Sequence, residues 1–210
     1  MDGEPLTRPG ALRATDATSK GALTRRAILD AAIARFGRDG FRSSSVADVA
    51  RDAGVGGSLV YAYFPNKEAL FLAALDEDAA GVIDEGVTTV LDDRHGQDEW
   101  RETLVLTLLE ALDRHALARR VLSGLEPHVT HRMLEIPAMA ELRKAVAERL
   151  RSDQAAGLVR PELDAASIAD GAVIIVLSLL MSVLQFGREG LAVYGRDVVA
   201  VLAAALDPPG

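Results

Sequence analysis

The 210-residue chain has no cysteine, a single tryptophan and only 4% aromatic residues. Without cysteine there is no disulfide framework, no thiolate metal site and no cysteine nucleophile. β-Sandwiches and barrels draw on aromatic and β-branched residues, so a chain poor in aromatics and rich in alanine is expected to be all-α. Nothing near the first residue has the apolar run of a secretory signal, and the longest nearly uninterrupted apolar stretch, Gly171 to Leu184, is 14 residues. That is short of the roughly 20 needed to cross a bilayer and reads as a buried helix. A cytoplasmic protein with no membrane association is the expectation. An apolar fraction of 49% excludes a disordered chain, and 18 glycines and 8 prolines without periodicity exclude collagen-like architecture.

A formal charge of −8 argues against nucleic-acid binding by bulk attraction. The average hides an asymmetry: residues 7–67 hold ten Lys or Arg against five Asp or Glu, whereas residues 71–210 hold thirteen against twenty-three. A basic head precedes an acidic body.

Residues 1–21 mix Pro, Gly, Thr, Asp and Arg without periodicity and read as a disordered arm carrying Arg8, Arg13 and Lys20. From Thr24, a candidate N-cap, the residues Ile28, Leu29, Ala32, Ile33 and Phe36 repeat at helical spacing up to Gly40, whose missing Cβ suits a left-handed end. Ser45 precedes a short stripe of Val46, Val49, Ala50 and Ala53, with Asp48 placed for a capping box. Gly54 breaks that helix, and a third brief helix puts Val60 and Phe64 on one face before Pro65. Asn66 can cap the next helix, with Leu70, Phe71, Ala74 and Leu75 inward. Further helices are expected at 98–114, 116–124, 137–156, 164–187 and 195–206.

Two short helices joined by a Gly-containing turn, with a first helix packed across them, have the layout of a helix-turn-helix, whose second helix projects into a major groove. Residues 24–75 resemble the DNA-binding domain of the TetR family of transcriptional regulators. The likeness is carried by the Gly40-Phe41 corner, the Ala53-Gly54-Val55 turn, the Tyr61-x-Tyr63-Phe64 run and Asn66-Lys67-Glu68. It implies a DNA-binding domain over 22–81, followed by an effector-binding and dimerisation domain over 82–210. It also implies phosphate contacts from Ser44, Ser45, Tyr61, Tyr63 and Lys67, and base reading by Gly57, Ser58 and Leu59, with Arg42 within reach of DNA. Lys67 lies in a first helical turn, where the macrodipole disfavours a cation by roughly 0.3–1 kcal/mol, so a nearby phosphate would relieve that penalty. Many family members carry Ser or Thr where Gly56 stands and a hydroxyl residue where Leu59 stands. Leu59 either contacts a thymine methyl or packs inward.

In the body, Asp164 can cap a helix with Ile168, Ala172, Ile175, Leu179 and Val183 on one side and Ile174, Leu177, Met181 and Leu184 on another, which must be covered twice. With Val198, Val199, Leu202 and Leu206 it either completes the monomer's core or pairs with a second copy. The family resemblance implies the latter: a homodimer on a palindromic double-stranded DNA operator, with the reading helices about 34–36 Å apart. A small apolar or amphipathic effector would sit among Trp100, Leu104, Leu108, Met133, Met139, Met181 and Gln185, candidates by helix face. The family's usual output is repression relieved by ligand. No enzyme is expected, because no nucleophile–base pair, GxSxG elbow, P-loop or dinucleotide fingerprint is present. No metal or other cofactor is expected: His128 and His131, near Glu126 and Glu135, lie in a segment that contains Pro127 and lacks the HExxH pattern.

Overall fold

The computed structural model describes residues 10–92, 97–187, 200–206 and 208. Among them the chain is all-helical: α1 (Gly10–Ser43), α2 (Val46–Asp52), α3 (Gly57–Tyr63), α4 (Lys67–Leu91), α5 (Gln97–Arg114), α6 (Ala116–Leu122), α7 (Ala138–Ala155) and α8 (Ala165–Phe186), with a 3₁₀ segment at Thr130–Glu135. Residues 200–206 are helical as well, while the rest of the helix expected at 195–206 lies outside the described residues.

Helix α1 begins earlier than the sequence pattern indicates. Residues 10–21, expected as part of a structureless arm, are helical, and Thr24 is an interior residue whose hydroxyl donates to the Lys20 carbonyl at 2.9 Å rather than capping. The physical reason is composition: no proline occurs between Pro9 and Pro65, and Ala11, Leu12, Arg13, Ala14 and Ala17 are good helix formers. Near its other end the helix is interrupted at Gly40 (φ 81°, ψ 170°), where a Cβ would stand 2.6 Å from the Glu126 carboxylate. Only glycine meets both demands there.

The head packs α1, α2, α3 and the start of α4 around Ile28, Phe36, Val49, Val60, Leu70 and Phe71, all fully or nearly fully buried. Phe71 makes edge-on contacts with Phe36 and Phe41 at 5.1 and 5.2 Å between ring centres, a geometry favoured by the ring quadrupoles. Arg35 clamps α1 to α2 through two hydrogen bonds to Asp52, at 2.6 and 2.9 Å. Asn66 caps α4 by accepting from the Ala69 amide at 2.8 Å.

Helix α4 is continuous across the expected 81/82 division, so head and body share one rod. It packs on α5, α6 and α7, and α7 on α8. The junction is built on Asp78, which is buried on α4. One of its oxygens accepts from the Leu117 and Ala118 amides at the start of α6, both at 2.9 Å, and the other faces His115 Nδ1 at 2.9 Å. Helix α8 is 22 residues, capped by Asp164, which accepts from the Ala166 amide at 3.2 Å. It falls within the expected 164–187 and by length and composition alone it could cross a membrane; most of it is not buried, contrary to what its apolar run led us to expect. Its buried residues Ala165, Ala169, Val173, Leu180 and Val183 instead face the neighbouring helices of the body.

Candidate nucleic-acid interface and body cavities

Helix α3 lies on the outside of the head. Val60 is its one buried residue, while Gly57, Ser58, Leu59, Tyr61 and Ala62 are exposed. The helix forms because Val60 and the following Phe64 anchor one face, and because Gly54 (φ 67°) turns the chain after α2. Leu59 is 40% exposed, so it points away from the core rather than into it. Tyr61 is 56% exposed. Tyr63 is half-buried, with its hydroxyl near α1 at Gly21.

The two serines differ. Ser45 is exposed and caps α2: its hydroxyl accepts from the Asp48 amide at 3.1 Å and donates to the Asp48 carboxylate at 2.6 Å. That hydrogen bond, helped by Arg51, holds the Asp48 carboxyl below the usual carboxylate range. Ser44, expected to face phosphate, is 4% exposed and donates to the Gly40 carbonyl at 2.8 Å. Its side chain closes the corner after α1, and the interruption at Gly40 is what turns it inward; it is not a surface group.

Arg42 is exposed at the end of α1. Lys67 is half-buried, with its ammonium 4.3 Å from the Phe41 ring centre. That cation–π contact offsets part of the cost of a cation in the first turn of α4 and points the side chain toward the Gly40-Phe41 corner. Sequence reasoning missed the corner's partners in the body. The Phe41 amide donates to buried Glu126 at 3.0 Å, Glu126 also pairs with Arg120 at 2.8 Å, and the His128 ring lies 5.2 Å from that of Phe41. The only signal in the sequence was a carboxylate in the break after α6, too common a feature to single out. His128 lies 3.8 Å from Glu126, while the His131 side chain falls outside the described residues.

The body holds two adjoining apolar cavities. One, of about 50 Å³, is lined by residues that include Trp100, Arg101, Leu104, Val146 and Leu206. The other, of about 40 Å³, includes Leu108, Leu112, Met133, Met139 and Leu180. Of the seven effector candidates, Trp100, Leu104, Leu108, Met133 and Met139 line one or other space. Met181 packs half-buried against the core and lines neither. Gln185 is exposed and donates to the Leu122 carbonyl at 3.0 Å. The cavities open onto the side of α8 that carries Val173 and Val176, and both candidates stand nearer its end.

An outward short helix held by a turn and a cap on a three-helix head, joined by a shared rod to an all-helical body, is the layout of a helix-turn-helix head with a C-terminal helical domain. Residues 28–74 match the family of "Bacterial regulatory proteins, tetR family". The chain is 25% identical over 195 residues to the "Uncharacterized HTH-type transcriptional regulator YdgC" of Bacillus subtilis, covering 91% of this chain and 97% of that one. It is 27% identical over 144 residues to the HTH-type transcriptional regulator UidR of Escherichia coli, covering 68% and 72% of the two chains. A structure solved as a tetR-family transcriptional regulator from Mesorhizobium loti superposes with a TM-score of 0.68 at 24% identity, covering 90% and 98%. Residues 28–74 are thus similar to the DNA-binding segment of the TetR family, and the relatives that align over most of the chain are HTH-type transcriptional regulators.

Proposed function

We propose that this regulator is a repressor that binds a palindromic operator as a homodimer and is released by a small effector held in its body. The head spans 22–81 and the body 82–210. The observation that carries the DNA-binding roles is the exposure of α3: five of the positions in Gly57–Tyr63 face outward, and only Val60 is buried. Gly57, Ser58 and Leu59 read bases. Leu59 offers methyl groups to a thymine methyl, and the two glycines at 56 and 57 let the backbone approach the groove closely. Tyr61, Tyr63, Lys67 and Arg42 hold phosphates, and Ser45 joins them by exchanging its Asp48 partner for a phosphate oxygen.

The dimer reading is supported by α8. Ile174 and Ile175 are 46% and 39% exposed, Phe186 is 82% exposed, and Val201 in the terminal helical segment is 67% exposed. So much exposed aliphatic and aromatic surface favours cover by a second copy. A regulator of this kind works in the cytoplasm, where the chromosome lies. The effector reading is supported by the paired cavities, whose walls are almost wholly apolar. An effector that fits one conformation of the body better than another shifts the spacing of the two heads and with it the operator affinity.

The test is a mobility shift with DNA flanking the chain's own gene, joined to light scattering of the free protein. A specific, salt-sensitive complex of two chains per operator is expected. A protein that stays monomeric at micromolar concentration, or that binds all DNA equally, contradicts the reading.

A further inference from the structure

The two body cavities have almost nothing on their walls with which to hold a polar group. Every described residue lining the second is Ala, Val, Leu, Ile or Met. The first adds only Trp100 and Arg101. The indole N–H of Trp100 is already spent, donating to the buried Asp153 at 3.3 Å. Arg101 likewise makes an interaction of its own, and the wall it joins is almost wholly carbon, so the space meets its alkyl stem rather than its charge. Most of the lining backbone lies inside helices, where amides and carbonyls satisfy one another. An occupant therefore meets carbon on nearly every side.

The spaces also adjoin. Leu142, Val173 and Val176 line both and form the wall between them. Along α5 the lining runs from Trp100 and Leu104 to Leu108 and Leu112, a span of about 18 Å at 1.5 Å rise per residue. Along α7 it runs the opposite way, from Leu150 to Met139. At about 50 and 40 Å³, neither space alone matches the roughly 150 Å³ of an engineered cavity that takes benzene. Val173 and Val176 are β-branched and stiff about χ1 in a helix, whereas Leu142 can turn between rotamers, so Leu142 is the part of the wall that gives way. Turning it joins the two spaces into one elongated slot, and the unbranched thioethers of Met133 and Met139 adapt to its far end.

We propose that this slot is the effector site and that its occupant is an uncharged hydrocarbon: an unbranched alkyl chain held by apolar contact alone, with no head group to be recognised. The inference rests on the effector-responsive reading above. A hydroxyl carried between such walls leaves its water partners and gains none, and a carboxylate or an ammonium loses far more, so the site selects against polarity as firmly as it selects for carbon. The end-to-end arrangement of the two spaces favours a chain over a branched or globular molecule. Each methylene that enters adds the same increment of buried surface, which makes chain length the quantity that the slot measures.

Trp100 lines the first space and is the chain's one tryptophan, so its emission reports entry there, while a rise in melting temperature reports occupancy of either space. The full-length protein is equilibrated through the vapour phase with pentane, hexane or heptane, and in solution with hexan-1-ol, hexanoate or hexylammonium. Hexane is expected to bind about 10- to 100-fold more tightly than hexanol, with the two ions weaker still. Affinity should rise about fourfold with each methylene from pentane to heptane. Leu142→Phe fills the passage and should remove the gain from length while pentane still binds; Val176→Ile takes its place if circular dichroism shows that the phenylalanine variant does not fold. Hexanol or either ion binding as tightly as hexane overturns the hydrocarbon class. An affinity that stays flat from pentane to heptane, or a gain that survives the blocked passage, overturns the joined slot. Unchanged emission and melting temperature with all six compounds overturn the site. The effector reading fails separately: a hydrocarbon that binds here without loosening the operator refutes that reading and leaves the site standing.

Discussion

Removing the Asp78 carboxylate is the sharpest test of how the body is joined to the rod. Both α6 amides, from Leu117 and Ala118, converge on the same Asp78 oxygen, and both residues are at most 1% exposed. In Asp78→Ala neither amide can turn to water, and each buried donor left unmade costs about 1–3 kcal/mol, so a loss of about 3–4 kcal/mol is expected. In Asp78→Asn the amide oxygen can take the place of the shared oxygen and accept from both. The amide NH₂ then faces His115 Nδ1, which becomes an acceptor once the ring proton moves to Nε2. All three hydrogen bonds survive, weakened from charged to neutral, at a cost of about 1–2 kcal/mol. For a chain of this size each kcal/mol moves the melting temperature by about 2–4 °C, so the alanine variant should melt about 10 °C lower and the asparagine variant a few degrees lower. Differential scanning calorimetry of the three proteins, with no effector or DNA present, reads the difference. Equal losses for the two variants, or an alanine variant within 2 °C or so of the parent, would refute the assignment of Asp78 as the acceptor that organises α6.

The remaining expectations concern DNA, pH and assembly. Lys67→Ala and Tyr63→Phe should weaken binding to every sequence alike, and the lysine change should reduce the slope of log K against log[salt] by about 0.9. A change in preferred sequence would contradict both phosphate roles. Ser58→Ala and Leu59→Ala should instead alter which fragments are recovered from a random DNA pool, with non-specific affinity unchanged. Asp164 has its carboxyl held below the ordinary range, chiefly by the Ser167 hydroxyl and then by the Ala166 amide. A depressed native pKa stabilises above the unfolded value and is lost as the pH falls through the native one. The stability gap between parent and Asp164→Ala should therefore be full at pH 7 and close below about pH 4; a gap that persists in acid would contradict it. Ile174→Glu places a charge on the exposed face of α8, clear of both cavities, and should yield monomers by light scattering with an unchanged helical spectrum.

What the sequence makes legible follows from the range of each interaction. Ser45, Asn66 and Asp164 cap helices two or three residues away, so those starts can be read from local spacing. The outward face of α3 can be read as well, since Val60 and Phe64 fix the inward one. Ser44 fails this kind of reading because its burial depends on the interruption at Gly40, which the linear pattern does not reveal. The early start of α1 escapes it for another reason: a segment with mixed polar residues and no apolar stripe carries no periodic signal even where its residues favour helix. Met181 and Gln185 lie on an almost uniformly apolar helix, where many residues qualify for the inner face and only the neighbouring helices decide.

The contacts that sequence cannot show are those that join the body to the head. Glu126 lies 85 positions from Phe41 and takes its amide hydrogen, in the gap that the Gly40 break leaves in the backbone ladder of α1. The same Phe41 ring carries the Lys67 ammonium on one contact and the His128 ring on another. Arg120, which completes the Glu126 pair, belongs to α6, and the start of α6 hangs on Asp78 of α4. Two continuous routes thus run from the body to the head: the α4 rod itself, and α6 through Glu126 to the corner beside Lys67. Any rearrangement in the body that moves α6 relative to α4 has to break the Glu126 contacts or rotate the corner with them. A buried carboxylate stripped of its donors is costly, so rotation is the cheaper course. The chain is therefore built so that a change among the body's helices alters the placement of Lys67 beside Phe41.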